Sequence, residues 1–289
     1  MKFFLNSQNQ LRNVWWIAIF FLVLASLTFP LILLSQQYAF EVTITQQALV
    51  VIAVTWILQA MRKKPMSELF GKLNLDLLKN MLLGFVAGAI LMLVPAIILT
   101  LSGSVHWQQG NMDMSSLLKI SAGFISVAIA EEFLFRGFIF QRLRKSTGLW
   151  VAQLIIAGYF LLTHIGNPGM TGNIKILAYI NIFTASIMFG FAYVRTNSLI
   201  TPIAFHFMSN WVQGTLLGFG VSGNEQASLL KAVFNNAPEW LTGGNFGLEA
   251  SVPGLISVFI ITFILYRWRF YISVIVDNSY KTKKQSYAK

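Results

Sequence analysis

The sequence predicts an all-α membrane protein, a bundle of about eight transmembrane helices that forms a single domain over residues 1–289. Of its 289 residues, 56% are hydrophobic and only 11% are charged, whereas soluble domains average about 25% charged residues. Several apolar runs reach about 18 residues or more, the length that crosses a bilayer as a helix. The chain has no Cys, which excludes disulfides and thiolate metal sites.

The apolar runs define the spans, and short connections join them except for a Gly- and Asn-rich stretch, Gly220–Ser251. We expect the first span to be retained, because its apolar run is longer than that of a signal peptide and no small-residue cleavage site follows it. In the third span, Gly84 and Gly88 form a GxxxG pair, for which packing within the chain is favoured over a dimer contact. The eight predicted spans are Val14–Leu34, Thr45–Ala60, Leu78–Leu101, Leu117–Phe140, Leu149–Ile165, Ile174–Val194, Leu199–Phe219 and Val252–Ile272.

Basic residues predict the orientation of the bundle. Lys and Arg concentrate in the cytoplasmic loops of membrane proteins. With both termini inside, most of the 21 Lys and Arg residues fall in inner segments. The net charge of +11 is therefore explained by topology, and we expect no nucleic-acid partner.

Three charged residues interrupt the fourth predicted span in the stretch IAEEFLFRGF. A charge near the bilayer centre costs several kcal/mol, so such residues indicate function by default. Glu132 and Arg136 are four positions apart, about 40° around a helix, and are expected to form an ion pair that supports the fold. Glu131 lies about 140° from Arg136 at 100° per residue and has no partner on its own helix. A free carboxylate in this setting must find a partner elsewhere, be protonated or face water.

Candidate partners for Glu131 lie on two other predicted spans. His164 ends the fifth span, with Phe160 one turn before it on the same face, and His206 and Asn210 share a face of the seventh. A buried carboxylate can take a proton from water, while imidazole and amide groups can stabilise the oxyanion that forms when the water attacks a carbonyl. This combination suits peptide hydrolysis without a covalent intermediate.

Two other chemistries are weaker alternatives. Ser186 and Ser209 do not lie in a nucleophile elbow, which argues against serine catalysis. Zinc held by Glu131, His164 and His206 is compatible in ligand type. However, the chain has no HExxH motif, and scattered single ligands are a weak metal signal. We therefore expect no metal and no other cofactor, with zinc as the alternative.

Three short segments resemble the motifs of the CPBP family of intramembrane proteases, the CAAX prenyl protease 2 and Abi group. EEFLFR, FLLTH and HFMSN read as EExxxR, FxxxH and HxxxN, in this order and on separate predicted helices. The resemblance covers a core at about Leu117–Phe219 and implies a glutamate-dependent intramembrane endopeptidase. The roles it implies are water activation by Glu131 with His164, oxyanion stabilisation by His206 and Asn210, and structural support by Glu132 and Arg136.

The resemblance also implies a setting. The short loops are similar to those of bacterial members, so we expect a multi-pass protein of the bacterial cytoplasmic membrane that contacts lipids and a protein or peptide substrate. Two other functions remain open. One is a non-catalytic scaffold or bacteriocin-immunity factor of the same fold. The other is a transporter or proton relay, since Glu and His chains also serve pumps, although the inverted repeat common in transporters is not evident.

Overall fold

The chain folds into a helical bundle with a small sheet at one end. The computed structural model describes residues 3–71 and 74–268. The helices are α1 (Asn13–Tyr38), α2 (Ile44–Met61), α3 (Ser67–Phe70), α4 (Leu75–Leu101), α5 (Met114–Glu132), α6 (Phe138–Thr147), α7 (Leu149–His164), α8 (Ile174–Thr196), α9 (Ile200–Asn210), α10 (Glu239–Thr242) and α11 (Val252–Trp268).

Four of these helices are long and apolar enough to cross a membrane, namely α1, α2, α4 and α8. The helices α7 and α11 are apolar but shorter. The chain is thus an integral membrane protein with four helices of full spanning length among the described residues, and the prediction of eight is supported only in part. The end of the eighth predicted span, residues 269–272, and the C-terminal tail lie outside the described residues.

The fourth and seventh predicted spans are not simple α-helices. Between α5 and α6 the backbone forms a π-helical turn, Phe133–Gly137, and after α9 it forms a second one, Trp211–Leu216. Each of these turns begins directly after a predicted motif residue, Glu132 or Asn210. Such π-turns are rare and are often found at functional sites.

The all-α prediction missed a two-stranded antiparallel sheet. Strand β1 (Val105–Gln109) pairs with β2 (Leu230–Phe234), so that Val105 lies opposite Phe234 and Gln109 opposite Leu230. The second strand lies in the Gly- and Asn-rich stretch that was predicted to be a connection. Pairing with β1 fixes this long segment against the bundle, because the ladder satisfies the backbone groups of both strands.

Side-chain caps fix where several helices begin. Thr43 and Gln46 form a capping box at the start of α2, and the Asp113 carboxylate accepts a hydrogen bond from the Ser116 backbone N–H at 2.8 Å. Such caps satisfy backbone N–H groups that have no partner inside the helix. The Asp113 cap therefore sets the start of the helix that carries the two glutamates.

The close packing of α4 against α9 positions half of the candidate site. A Cβ atom on Gly84 would lie 2.4 Å from the Thr201 carbonyl oxygen, and one on Gly88 would lie 2.4 Å from that of Phe205. Only glycine allows two helix backbones to approach so closely. The GxxxG pair therefore packs within the chain, as predicted, and it holds the helix that carries His206.

One end of the bundle is rich in basic residues and is called the basic end. There, Glu68 of α3 accepts a hydrogen bond from Arg62 at 2.8 Å, with Arg142 at 3.8 Å and Lys145 at 3.6 Å. Burial alone would raise the pKa of Glu68, but hydrogen bonds from Arg62 and Gln59 and the charges of Arg62 and Arg142 lower it to about 2. This carboxylate therefore ties the end of α2 to the end of α6.

Candidate active site

The last turn of α5 places two carboxylates side by side in the interior. Glu132 is fully buried, whereas the Glu131 side chain is 23% exposed and lines an internal cavity. The predicted separation of the two glutamates is therefore present in the structure.

Glu132 pairs with Arg136 across the π-turn. An Arg136 guanidinium nitrogen, Nη1, donates to Glu132 Oε1 at 3.1 Å, and the other, Nη2, donates to the backbone carbonyl and the hydroxyl oxygen of Ser186 at 3.0 and 2.8 Å. Arg136 also lies within 4.8 Å of the Phe160 ring centre and 5.3 Å of that of Phe189. The buried cation thus has both ionic and aromatic partners, as an arginine in an apolar interior requires.

Glu132 has a second partner that sequence analysis did not predict. Its Oε1 atom lies 3.0 Å from Nδ1 of His206 on α9. The His206 ring also stacks on Phe189, with ring centres 5.0 Å apart and planes at 17°. Glu132 therefore has two roles: it pairs with Arg136, and it fixes the orientation of the His206 ring, a predicted catalytic group.

Glu131 lies between the two histidines. Its Oε1 atom is 3.8 Å from His164 Nε2 and its Oε2 atom is 3.9 Å from His206 Nε2. Both separations exceed the length of a direct hydrogen bond. The carboxylate oxygens therefore keep the capacity to bind a small polar molecule between the rings.

The His164 ring is held by the backbone of its own helix. Its Nδ1 atom lies 2.7 Å from the Phe160 carbonyl oxygen, to which it can donate, and the two rings are 4.4 Å apart between centres. This contact assigns the proton of the neutral ring to Nδ1 and leaves Nε2 as an acceptor facing Glu131. Phe160 thus supports the ring through both its backbone and its side chain.

The remaining residues considered from the sequence are Asn210, Ser186 and Ser209. Asn210 is buried and lines the same cavity as Glu131, His164 and His206. Ser186 is bound to Arg136, and the Ser209 hydroxyl donates to the Phe205 carbonyl oxygen at 2.8 Å. All four predicted catalytic residues therefore meet at one cavity, which Ser209 also lines, and the hydroxyl groups of both serines are hydrogen-bonded within the protein.

The cavity has a volume of about 640 Å³ and is mostly apolar, which suits an organic ligand rather than a single ion. Its apolar walls come from α2, α4, α5 and α8, with members such as Val51, Leu91, Phe124 and Ile182. Polar groups converge where the motif residues lie. A chain with an apolar portion and a peptide bond could be accommodated in such a space.

Residues 113–212 match the family model described as Type II CAAX prenyl endopeptidase Rce1-like. The matched segment contains Glu131, Glu132, His164, His206 and Asn210. This segment, about a third of the chain, is similar to the CAAX protease family. A search of curated proteins found no relative that matches the chain. This similarity supports a protease at the level of that family.

Both histidines at the cavity have one ring nitrogen engaged by the protein itself. Among residues 3–71 and 74–268, no group of three or more His, Cys, Asp or Glu side chains is arranged to hold a metal ion. His164 Nδ1 contacts the Phe160 carbonyl oxygen and His206 Nδ1 contacts Glu132. The Nε2 atoms of both rings face Glu131 and are the ring nitrogens left to bind a ligand.

A second acid, which the sequence did not predict, lines the cavity beside Glu131. Glu249 follows Leu248 in a short 3-10 turn and lines the cavity, where Oε2 accepts a hydrogen bond from the Ser222 hydroxyl at 2.9 Å. Burial raises the pKa of Glu249, although Ser222 and the nearby His164 and His206 oppose this effect. No motif marks this residue, and the only signal was an acid in a Gly-rich segment just before the last predicted span.

Proposed function

We propose that this chain is a member of the CAAX protease family and a glutamate-dependent intramembrane endopeptidase that hydrolyses peptide bonds of membrane-associated proteins or peptides. The observation that carries the proposal is the position of Glu131 between the two imidazole Nε2 atoms, at 3.8 and 3.9 Å, on the wall of the cavity. We further propose that it acts in a bacterial cytoplasmic membrane and without a metal.

In the proposed reaction, a water molecule binds between Glu131 and His164. Glu131 accepts its proton while the water oxygen attacks the carbonyl carbon of the substrate, as expected of a general base. His164 accepts a hydrogen bond from the same water through Nε2, because its Nδ1 is engaged by the Phe160 carbonyl. No bond between the enzyme and the substrate is formed.

The negative charge that develops on the carbonyl oxygen is stabilised by His206 and Asn210. Since His206 Nδ1 faces Glu132 at 3.0 Å, its Nε2 atom can donate to an oxyanion only when the ring is protonated. The Glu132 carboxylate stabilises that protonated ring. When the C–N bond breaks, the proton held by Glu131 passes to the leaving nitrogen, which restores the carboxylate.

The test compares Glu131→Gln with wild type in purified form and in membranes. We expect Glu131→Gln to fold and to lose at least about 100-fold in cleavage rate, since a general base contributes about 10²–10⁴-fold. Glu225→Gln is the matched control, because Glu225 is an exposed glutamate outside the cavity lining. Peptides that accumulate in wild-type but not in Glu131→Gln membranes identify the products.

Native cleavage by Glu131→Gln would overturn the assignment. Activity that survives exhaustive chelation, with no metal found by elemental analysis, is the expected result for the metal-free reaction. Activity that chelation abolishes and zinc restores would replace this reaction with a metal-dependent one.

A further inference from the structure

Basic residues are distributed unequally between the two ends of the bundle. Helix hairpins bring the start of α1 and the ends of α2, α6, α8 and α11 to the basic end, where the Leu199 N–H donates to the Leu69 carbonyl oxygen at 2.9 Å and Arg195 Nε donates to the Leu265 carbonyl oxygen at 2.6 Å. The described basic residues there are Arg12, Arg62, Lys63, Lys64, Lys79, Arg142, Arg144, Lys145, Arg195 and Arg267.

The opposite end, called the sheet end, carries β1, β2 and the connections that join α4 to α5, α7 to α8, and the second π-turn to α11. Three described lysines lie near it, Lys119, Lys175 and Lys231. Because Lys and Arg accumulate on the cytoplasmic side of membrane proteins, the basic end faces the cytoplasm and the sheet end faces outward.

The cavity is walled by segments of the sheet end. Its lining includes Asn167 from the connection after α7 and five residues of the segment 220–251. These five residues are Val221, Ser222, Asn224, Gln226 and Glu249. Every one of these six residues lies on the outward side of the motif helices.

The segment 220–251 is held firmly against the site. Gln213 of the second π-turn donates to the Gly220 carbonyl oxygen at 2.7 Å, and the Gly223 N–H donates to the Phe246 carbonyl oxygen at 3.2 Å. Gly247, with a φ of 100°, packs so closely on the Gly220 carbonyl that a Cβ would lie 1.9 Å from it. The outer wall of the cavity is thus a built part of the fold.

Toward the cytoplasm, by contrast, the interior is closed. The residues that follow the glutamates toward the basic end are buried and mostly aromatic, and Arg136 packs against the rings of Phe135, Phe160 and Phe189. These residues are Phe133, Phe135, Arg136, Phe138 and Phe140. A polar peptide approaching from the basic end would meet this packed layer before it reached Glu131.

We propose that the active-site cavity opens to the extracytoplasmic side, so that its substrates are membrane-anchored peptides whose scissile bond is exposed on the outer side of the membrane. Exported peptides and outward-facing anchored segments fit this geometry, whereas chains presented from the cytoplasm do not. The substrate part of the inference rests on the proposed protease function, but the direction of opening does not.

The absence of native cysteine allows a direct test by single-cysteine labelling. Asn224→Cys places a thiol at an exposed position in the cavity lining, and Lys64→Cys is the matched variant at an exposed position of the basic end. A membrane-impermeant maleimide should label Asn224→Cys in intact cells and Lys64→Cys only in inverted vesicles. The reverse pattern would overturn the inference.

A second arm adds a lipid-anchored fluorogenic peptide to the outside of right-side-out or inverted vesicles. We expect wild type to cleave it only in right-side-out vesicles, and Glu131→Gln to cleave it in neither. Cleavage only in inverted vesicles would overturn the outward opening and leave the protease function intact. Outward labelling of Asn224→Cys without cleavage in either vesicle would count against the proposed function instead and leave the direction of opening standing.

Discussion

At the scale of single residues, two adjacent glutamates end α5 and have different surroundings. Glu132 is fully buried and contacts both Arg136 at 3.1 Å and His206 at 3.0 Å. Glu131 faces the cavity and makes no contact shorter than 3.8 Å with either histidine. One carboxylate is thus locked by charge-assisted hydrogen bonds, while its neighbour keeps acceptor capacity on the cavity wall.

These contacts predict that the same substitution destabilises the fold at Glu132 but not at Glu131. Glu132→Gln should lower the free energy of unfolding by about 3–5 kcal/mol, because it leaves Arg136 as an uncompensated buried charge. Glu131→Gln should leave it near the wild-type value. Thermal or denaturant unfolding in detergent measures both. The double variant Glu132→Gln/Arg136→Met should lose less than the sum of its single variants, and strict additivity, or equal losses at the two glutamates, would contradict the ion-pair role.

Helical periodicity predicted one contact of the two glutamates but not the others. Spacing of four positions correctly paired Glu132 with Arg136. The contact between Glu132 and His206 spans 74 positions, so it depends on how α5 packs against α9. Glu249 could not be predicted for a similar reason, since the turn that carries it is placed by long-range contacts of glycine-rich backbone.

At the scale of elements, the approach of α4 to α9 sets where His206 lies. The two glycines of α4 contact the α9 backbone directly, at the carbonyls of Thr201 and Phe205. Phe205 immediately precedes His206, so any displacement of α9 moves the ring that contacts Glu132. Helix packing and site geometry are therefore coupled at this interface.

Enlarging one of these glycines should damage stability and activity together. Gly88→Ala places a methyl group against the Phe205 carbonyl, and overpacking of this kind costs about 1–3 kcal/mol. We expect a lower unfolding temperature and slower peptide cleavage as α9 shifts. Gly158→Ala in α7 is the control, because nothing lies within 4 Å of its added Cβ and alanine favours a helix by up to about 1 kcal/mol. Equal behaviour of the two variants would show that α4 tolerates a larger separation from α9.

The sequence predicted the apolar helices better than the irregular elements. Long apolar runs correctly located α1, α2, α4 and α8, because length and hydropathy decide whether a helix can cross a bilayer. The two π-turns and the β1–β2 sheet were missed. A π-turn has no composition signal, and the short strands pair with partners far away in the sequence, as Val105 does with Phe234.

At the scale of the whole molecule, two carboxylates near opposite ends of the bundle, Glu68 and Glu249, lie in different electrostatic surroundings. At the basic end, Glu68 is surrounded by Arg62, Arg142 and Lys145, and its pKa falls from 4.5 to about 2. At the sheet end, burial raises the pKa of Glu249 above its ordinary value. Folding therefore favours the ionised form of Glu68 and disfavours that of Glu249.

Opposite pH dependences of stability follow from linkage. The contribution of Glu68 is present above pH 4.5 and is lost as the pH falls toward about 2, so Glu68→Gln should lower the unfolding temperature at neutral pH and match wild type near pH 2.

The contribution of Glu249 to stability is present below its unfolded pKa and is lost as the pH rises through its raised pKa. Glu249→Gln keeps an acceptor oxygen for Ser222 and removes the buried charge, so it should match wild type in acid and be more stable than wild type above the raised pKa. Unfolding midpoints of both variants across a pH series in one detergent measure the two effects, and a decrease for Glu249→Gln throughout the series would contradict the assignment. The expected gain in stability on removing an acid from the cavity wall would mark Glu249 as a residue kept at a cost to stability, which is typical of groups that serve the site rather than the fold.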